Sequence, residues 1–191
     1  MPHRVFIAIN LPEGVRAKLH DTKDNYPDLP CRWTKKENLH LTLLFLGYLN
    51  DEELIDVCQR VGEVGKKHAP FGLELTKISY GPPKRKPPRM VWAGGPVSVE
   101  LGRLEQGLRN SLYETMRAGS EGEAHGFSPH ITLGRLKQWE FQRQEIDEVP
   151  EIDETISVQF PVDSIEVMES ELKREGPEYH VLESSPLSQE T

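Results

Sequence analysis

One short pattern occurs twice in this chain. Asn38-Leu39-His40-Leu41-Thr42-Leu43-Leu44-Phe45-Leu46-Gly47 is echoed in the other half by Phe127-Ser128-Pro129-His130-Ile131-Thr132-Leu133-Gly134-Arg135, and each copy reads His, apolar, Thr, Leu. Both runs are rich in apolar and β-branched residues and are bounded by Gly or Pro, the signature of strands. Side chains alternate between the faces of a strand, so His40 with Thr42, and His130 with Thr132, share a face while their apolar neighbours point the other way. An imidazole and a hydroxyl two residues apart lie roughly 6.5 to 7 Å apart along the strand, a span one small anion can bridge.

The surroundings of the two runs repeat as well. Val5-Phe6-Ile7-Ala8-Ile9 reads as a buried strand, and Asn10-Leu11-Pro12-Glu13 as a capped helix start, with the helix running to about Asn25 before Pro27 and Pro30. Arg32-Trp33-Thr34 is a short strand, and the His40 strand follows. Asn50 then caps a helix with Leu54, Val57, Cys58, Val61 and Val64 on one face. In the second half, Met90 to Gly94 is a strand. Leu101, Leu104, Leu108 and Leu112 mark a helix starting near Pro96, and the His130 strand comes after a polar loop at 119–126.

Between the halves lie a strand from Phe71 to Tyr80 and an exposed, proline-rich basic loop from Gly81 to Pro88. The C-terminal part reads as weak helix from Phe141 to Glu148, then short strands at Ile156 to Phe160, Ser164 to Met168 and Tyr179 to Leu182. A duplicated α+β unit packs most simply as two pseudo-symmetric lobes, their antiparallel sheets facing a central cleft and helices outside. His40 and His130 then oppose one another. The expected organisation is one bilobal domain over residues 1–183, with 184–191 a flexible tail.

Two opposed histidines suit phosphodiester hydrolysis. In-line attack needs a base where water enters and an acid where the alkoxide leaves, and imidazole serves both near neutral pH. Threonine hydroxyls can donate to the non-bridging oxygens. No metal or other cofactor is called for, and neither strand carries a His-Glu-x-x-His or carboxylate cluster. The commonplace alternative for one His-x-Thr is a half-buried strand position, but the repetition favours function.

Composition narrows the partners. At 191 residues, 36% hydrophobic and 28% charged, the chain is an ordinary globular one. A formal net charge of −8 argues against sequence-independent binding to long nucleic acid and leaves a small anion or a chain end. Positive charge is local, at Arg32, Lys35 and Lys36 and again at Lys84, Arg85, Lys86 and Arg89. The second cluster is read as a solvated surface, with steering of a nucleic-acid backbone as its functional alternative. Cys31 and Cys58 are too few for a disulfide scaffold or a Cys-based zinc site. No run of about 20 apolar residues suggests a membrane span, and the expected location is cytoplasmic.

The doubled motif resembles the paired signature of the 2H phosphoesterases. Arg32-Trp33, Asn38-Leu39-His40, Phe45-Leu46-Gly47, Val91-Trp92-Ala93-Gly94, Phe127-Ser128-Pro129-His130 and Arg135 are similar to the bacterial and archaeal RNA 2′,3′-cyclic phosphodiesterases, formerly called 2′-5′ RNA ligases. Glu169-Ser170-Glu171-Leu172 and Gly176-Pro177-Glu178-Tyr179 fit that family's ending. Gly134, where relatives often carry Ala, is a mild departure.

The resemblance implies RNA ends or short oligonucleotides with a 2′,3′-cyclic phosphate as substrate, opened to a 2′-phosphomonoester. It implies His40 as proton donor to the leaving 3′ oxygen, His130 as proton acceptor, and Thr42, Thr132 and Arg135 on the phosphate. Run backwards from a 5′-hydroxyl end, the same step is ATP-independent 2′-5′ ligation. Alternatives are another cyclic or 2′-5′ linked nucleotide as substrate, or a nucleotide-binding module without turnover. Phe6, Trp33, Tyr48 and Trp92 are candidates to stack on a base, each with core packing as its alternative. A monomer is expected, because the duplication already supplies two half-sites.

Overall fold

The computed structural model of the protein describes residues 2–83, 85–116, 127–143, 150–174 and 176–188. In chain order the strands are β1 (His3–Asn10), β2 (Cys31–Trp33), β3 (His40–Leu49), β4 (Phe71–Gly81), β5 (Met90–Gly94), β6 (His130–Leu136), β7 (Asp153–Val162), β8 (Ser164–Lys173) and β9 (Gly176–Pro186). The helices are α1 (Glu13–His20), α2 (Asp51–Gly65), α3 (Val99–Ser111), α4 (Tyr113–Met116) and α5 (Gln138–Phe141). Among the described residues all strand pairings are antiparallel, in the order β7-β4-β5-β6-β3-β1-β8-β9, with β2 added to the edge of β6.

The strand order is symmetric about its middle. Four strands lie on each side of the β3–β6 boundary, and the two sides meet at one register pair, Leu41 opposite Ile131. On one side Asn10, Ile9 and Ala8 of β1 face His40, Leu41 and Thr42; on the other Gly94, Ala93 and Trp92 of β5 face His130, Ile131 and Thr132. Each ladder then slips at the next residue, leaving Leu43 and Leu133 as the extra residues of matching bulges. A bulge bends its strand and adds twist, so both strands turn away from the boundary at equivalent points. The burial sequence from His40 to Leu46 repeats residue for residue from His130 to Leu136.

One face of the sheet carries the main core. Ile7, Ile9, Leu41, Leu43, Leu44, Ile131 and Leu133 are buried there, and α2 and α3 pack over it through Val57, Val61, Leu101, Leu104 and Leu108. Each such side chain contributes roughly 1.5 to 3 kcal/mol when removed from water. The opposite face holds a smaller apolar cluster, Phe6, Ala8 and Met168 with Tyr179 against them, beside the histidines. Helix α2 starts as its sequence demands: Asn50 accepts from the Glu53 amide at 2.9 Å while Glu53 accepts from the Asn50 amide at 2.8 Å.

Several expectations shift. Asn10 does not cap α1; it stays in β1 opposite His40, and Pro12 stands at the cap position with no side-chain hydrogen bond. The helix gives way at Asp21 to a 3-10 segment that reaches Asn25, the expected end. Ser98, two residues beyond Pro96, caps α3 by accepting from the Leu101 amide. Strands β8 and β9 are longer than their apolar runs, because the hairpin continues pairing through Glu171, Leu172 and Glu178.

The segment from residue 184, expected to be a tail, is tied to the sheet over its described residues. Ser184 to Pro186 pair with β8, and Leu187 is buried with its amide donating to the Asp163 carbonyl. Residues 189–191 lie outside the described residues, as do the 119–126 loop, Lys84 and most of the expected Phe141–Glu148 helix. The helical turn α5 ends where that helix was expected to begin. Among the described residues no helix is long and apolar enough to cross a membrane.

Candidate active site

The two His-x-Thr faces open into one cleft of about 180 Å³, lined by His40, Thr42, His130, Thr132 and Arg135 together. The five residues singled out from the sequence are therefore neighbours. Their backbones are fixed by the β3–β6 boundary: with Leu41 paired to Ile131 in the core, the flanking histidines and threonines must point to the other face.

Each imidazole is oriented the same way. The Asn38 carbonyl lies 2.8 Å from Nδ1 of His40, and the Ser128 carbonyl lies 2.8 Å from Nδ1 of His130. A carbonyl only accepts, so Nδ1 carries the proton in both neutral rings. In His40, Nε2 accepts from the Thr42 hydroxyl at 3.0 Å. The main-chain bond two residues back is thus a second duplicated feature, built into the extended approach to each strand.

The ring environments differ. His40 sits among Phe6, at 5.0 Å between centroids, and Tyr179, edge-on at 5.1 Å. Burial in this apolar seat pushes its pKa below the ordinary histidine value; the Asn38 carbonyl opposes that, and positive charge on His130 and Arg135 adds to it. His130 lies flat on the indole of Trp92, with centroids 3.6 Å apart and planes 16° from parallel. Of the proposed base-stacking aromatics, Phe6 and Trp92 are thus occupied with the histidines and Trp33 lines the cleft, whereas Tyr48 is not among the lining residues.

The walls come from segments to which the sequence assigned no phosphate contact, only a candidate base-stacking role for Trp33. Arg32, Trp33, Thr34 and Lys35 line one side because β2 is laid along β6 and the chain after it is tied down. The Thr34 amide donates to the Leu133 carbonyl at 2.8 Å and its hydroxyl to the Thr132 carbonyl at 2.8 Å. Lys36 faces elsewhere, paired with Glu13. The start of β9, Gly176, Pro177 and Tyr179, forms another wall, held by the Asn38 side chain donating to the Pro177 carbonyl at 2.8 Å. The local excess of Arg and Lys before the first His strand was the signal for Arg32 and Lys35. Tyr179 had none beyond the family-like ending.

Three cations around a small cleft make it attractive to an anion despite the acidic chain, because charges of one sign in a concave, low-dielectric wall reinforce each other. Glu171, Glu178 and His180 are the side chains with metal-ligand spacing among the described residues; all three are exposed and none lines the cleft. The cleft brings together the two imidazoles, the hydroxyls of Thr42 and Thr132 and the three cations, which is a set for proton transfer at an anionic ester.

Comparison with known proteins agrees with that inventory. The sequence matches the LigT-like phosphoesterase family over residues 9–92 and 99–179. It is 34% identical over 190 residues to the RNA 2′,3′-cyclic phosphodiesterase of Thermus thermophilus, covering 96% of this chain and 90% of the relative. The namesake from Thermotoga maritima is 30% identical, with 94% and 92% covered. Among solved structures, TT0787 of Thermus thermophilus superposes with a TM-score of 0.84 at 33% identity, covering 98% of this chain and all of that one. Escherichia coli LigT complexed with 3′-AMP gives 0.78 at 26% identity, covering 99% of this chain and all of that one. With the doubled His-x-Thr strands converging on one cleft and the match running through both halves, this chain belongs to the LigT-like phosphoesterases.

Proposed function

We propose that the protein hydrolyses RNA 2′,3′-cyclic phosphodiester ends to 2′-phosphomonoesters without a metal. The observation that carries this reading is the pair of imidazoles lining a single anion-attracting cleft, both with Nδ1 held by a main-chain carbonyl two residues back. Water enters in line with the P–O3′ bond as His130 takes its proton. The bond to the 3′ oxygen breaks as His40 protonates that oxygen. Thr42, Thr132 and Arg135 hold the non-bridging oxygens, where negative charge is concentrated.

The environment of His40 suits a donor. A depressed pKa makes its imidazolium a stronger acid, and the negative charge of the bound phosphate favours loading it with the proton it then gives up. Microscopic reversibility lets a 5′-hydroxyl take the place of water in the opposite direction, which is 2′-5′ ligation without ATP. The protein acts as a monomer in this reading, since both half-sites lie in one chain. Cytoplasmic location is in keeping with its two free cysteines.

Incubation with 2′,3′-cyclic nucleotides and short oligonucleotides ending in a cyclic phosphate, followed by phosphorus NMR, tests the reading. A monoester signal at the 2′ position is expected with chelator present. Unchanged cyclic phosphate would leave only a binding module, and loss of turnover with chelator would remove the metal-free mechanism.

A further inference from the structure

We propose that Trp92 is a positioning residue for His130: its indole, packed on Gly81 behind, fixes the plane of the imidazole in front and stabilises it when it carries a proton. The inference rests on the role given to His130 in the proposed reaction. Its structural basis is a diagonal across three strands. Trp92 pairs with Ser79 on β4 and with Thr132 on β6, so Gly81 and His130, each two residues further along, flank it on the same face.

Gly81 makes the arrangement possible. A Cβ added there would come within 2.2 Å, 2.5 Å and 2.7 Å of three atoms of the indole, so the ring rests on bare backbone. On its other face lies the His130 ring, 16° from parallel. The Trp92 Nε1–H is buried with no hydrogen-bond partner among the described residues, so packing and not a polar tether seats the indole. For His130 the consequence is two independent constraints. The Ser128 carbonyl fixes rotation within the ring plane, and the indole fixes the plane itself.

The stack also has an electrostatic sense. The negative π face of an indole favours a cation lying on it. Among the described residues that line the cleft, His40 from β3, Arg32 from β2, Lys35 after it and Arg135 from β6 oppose a further positive charge on His130, and Tyr179 from β9 is neutral at physiological pH. When His130 takes the proton from water, the indole offsets part of that opposition. The pseudo-symmetric position is Ala8, beside Thr42, so His40 has no flat-stacked ring there and instead meets Phe6 at 36° and Tyr179 edge-on. This divergence separates the two rings in the roles assigned to them.

The test uses W92F, W92L and G81A in the full chain, with far-ultraviolet circular dichroism and thermal melting to select folded variants. Imidazole titration of His130 by NMR without substrate is the readout independent of turnover. W92L is expected to lower the His130 midpoint by about half to one pH unit, to narrow its ring's chemical-shift signature of stacking, and to reduce kcat more than it raises KM. W92F should restore most of the midpoint. G81A, which pushes the indole forward, should disturb the His130 ring signals while leaving those of His40 in place. An unchanged His130 titration and ring shift in folded W92L overturns the proposal. If the titration moves as expected while no cyclic phosphate is hydrolysed by the wild type, the positioning stands and the proposed reaction falls.

Discussion

Phe45 and Arg135 occupy the same place in the two halves of the molecule. Each lies five residues beyond its histidine, past the matching bulge, at the exposed position of an identical burial sequence, yet one is an aromatic ring and the other a guanidinium. Phe45 is 61% exposed and packs toward Phe6, while Arg135 lines the cleft. The duplication therefore preserves the imidazole and hydroxyl on both sides but places a fixed charge on the His130 side alone. A phosphate bound between them meets an asymmetric field, and that asymmetry orients it.

Removing that charge should weaken the site in a graded way. R135Q is expected to lower kcat/KM by roughly 10- to 100-fold, the range of one charge-assisted hydrogen bond of about 1.5 to 3 kcal/mol. R135K should recover only part of it, because an ammonium cannot make a bidentate contact. Steady-state kinetics on a 2′,3′-cyclic nucleotide measure both, and equal rates in R135Q and wild type would take Arg135 out of the site.

The two histidines should be separately indispensable. H40A and H130A are each expected to lose about 10² to 10⁴ in kcat while retaining the wild-type fold, since neither side chain belongs to the main core. The double variant should lose far less than the product of the two, as groups acting in one step do. Single-turnover assays of all three decide it; strict multiplicativity would mean that the rings work on different steps.

Phosphate should recharge His40. In the empty cleft, burial first, and then positive charge on His130 and Arg135, hold its pKa below the ordinary value near 6.5. Titration by NMR should therefore show a low midpoint that rises when inorganic phosphate is added, and a midpoint indifferent to phosphate would contradict the site. The linkage to stability has a definite sign. Above about pH 6.5 the ring is neutral folded and unfolded and contributes nothing. As pH falls from there toward the depressed folded value, the unfolded chain takes the proton first, so His40 destabilises the native state. Urea unfolding of H40N against wild type should show the difference shifting in favour of H40N between neutral and mildly acidic pH.

Gly134 should resist even one methyl group. A Cβ there would stand 2.4 Å from the Cys31 sulfur, closer than packed atoms come, and 3.1 Å from the Trp33 ring, a tight contact. G134A is expected to destabilise by about 1 to 3 kcal/mol, and C31A in the same chain should restore most of that. Thermal melting of the four variants of this cycle gives the coupling directly. Because Trp33 lines the cleft, G134A should also raise KM, and a silent G134A would show that β2 yields more easily than its pairing suggests.

What could be read in advance follows a physical division. Alternation along a strand is local, so the facing of His40, Thr42, His130 and Thr132 was legible from spacing alone, and so was the Asn50–Glu53 capping box. Asn10 misled because its cap-like sequence lost to a ladder position opposite His40, a tertiary contact that spacing cannot reveal. Glu171, Lys173 and Glu178 hid the length of the last hairpin, since an edge hairpin pairs through polar residues that no hydrophobic pattern marks. Trp92 is the clearest case. Its contact with His130 is a diagonal that exists only once β4, β5 and β6 are in register, so the sequence offered a strand aromatic that could stack on a base or pack in the core, and no hint of the imidazole.

The single rung at which Leu41 meets Ile131 has a further consequence. The gap between the main-chain positions that carry the two histidines is inherited from interstrand spacing. Loops, helices and surface charges are free to drift through long divergence while that gauge stays constant, whereas a one-residue slip there would turn one histidine into the core and undo the chemistry at a stroke.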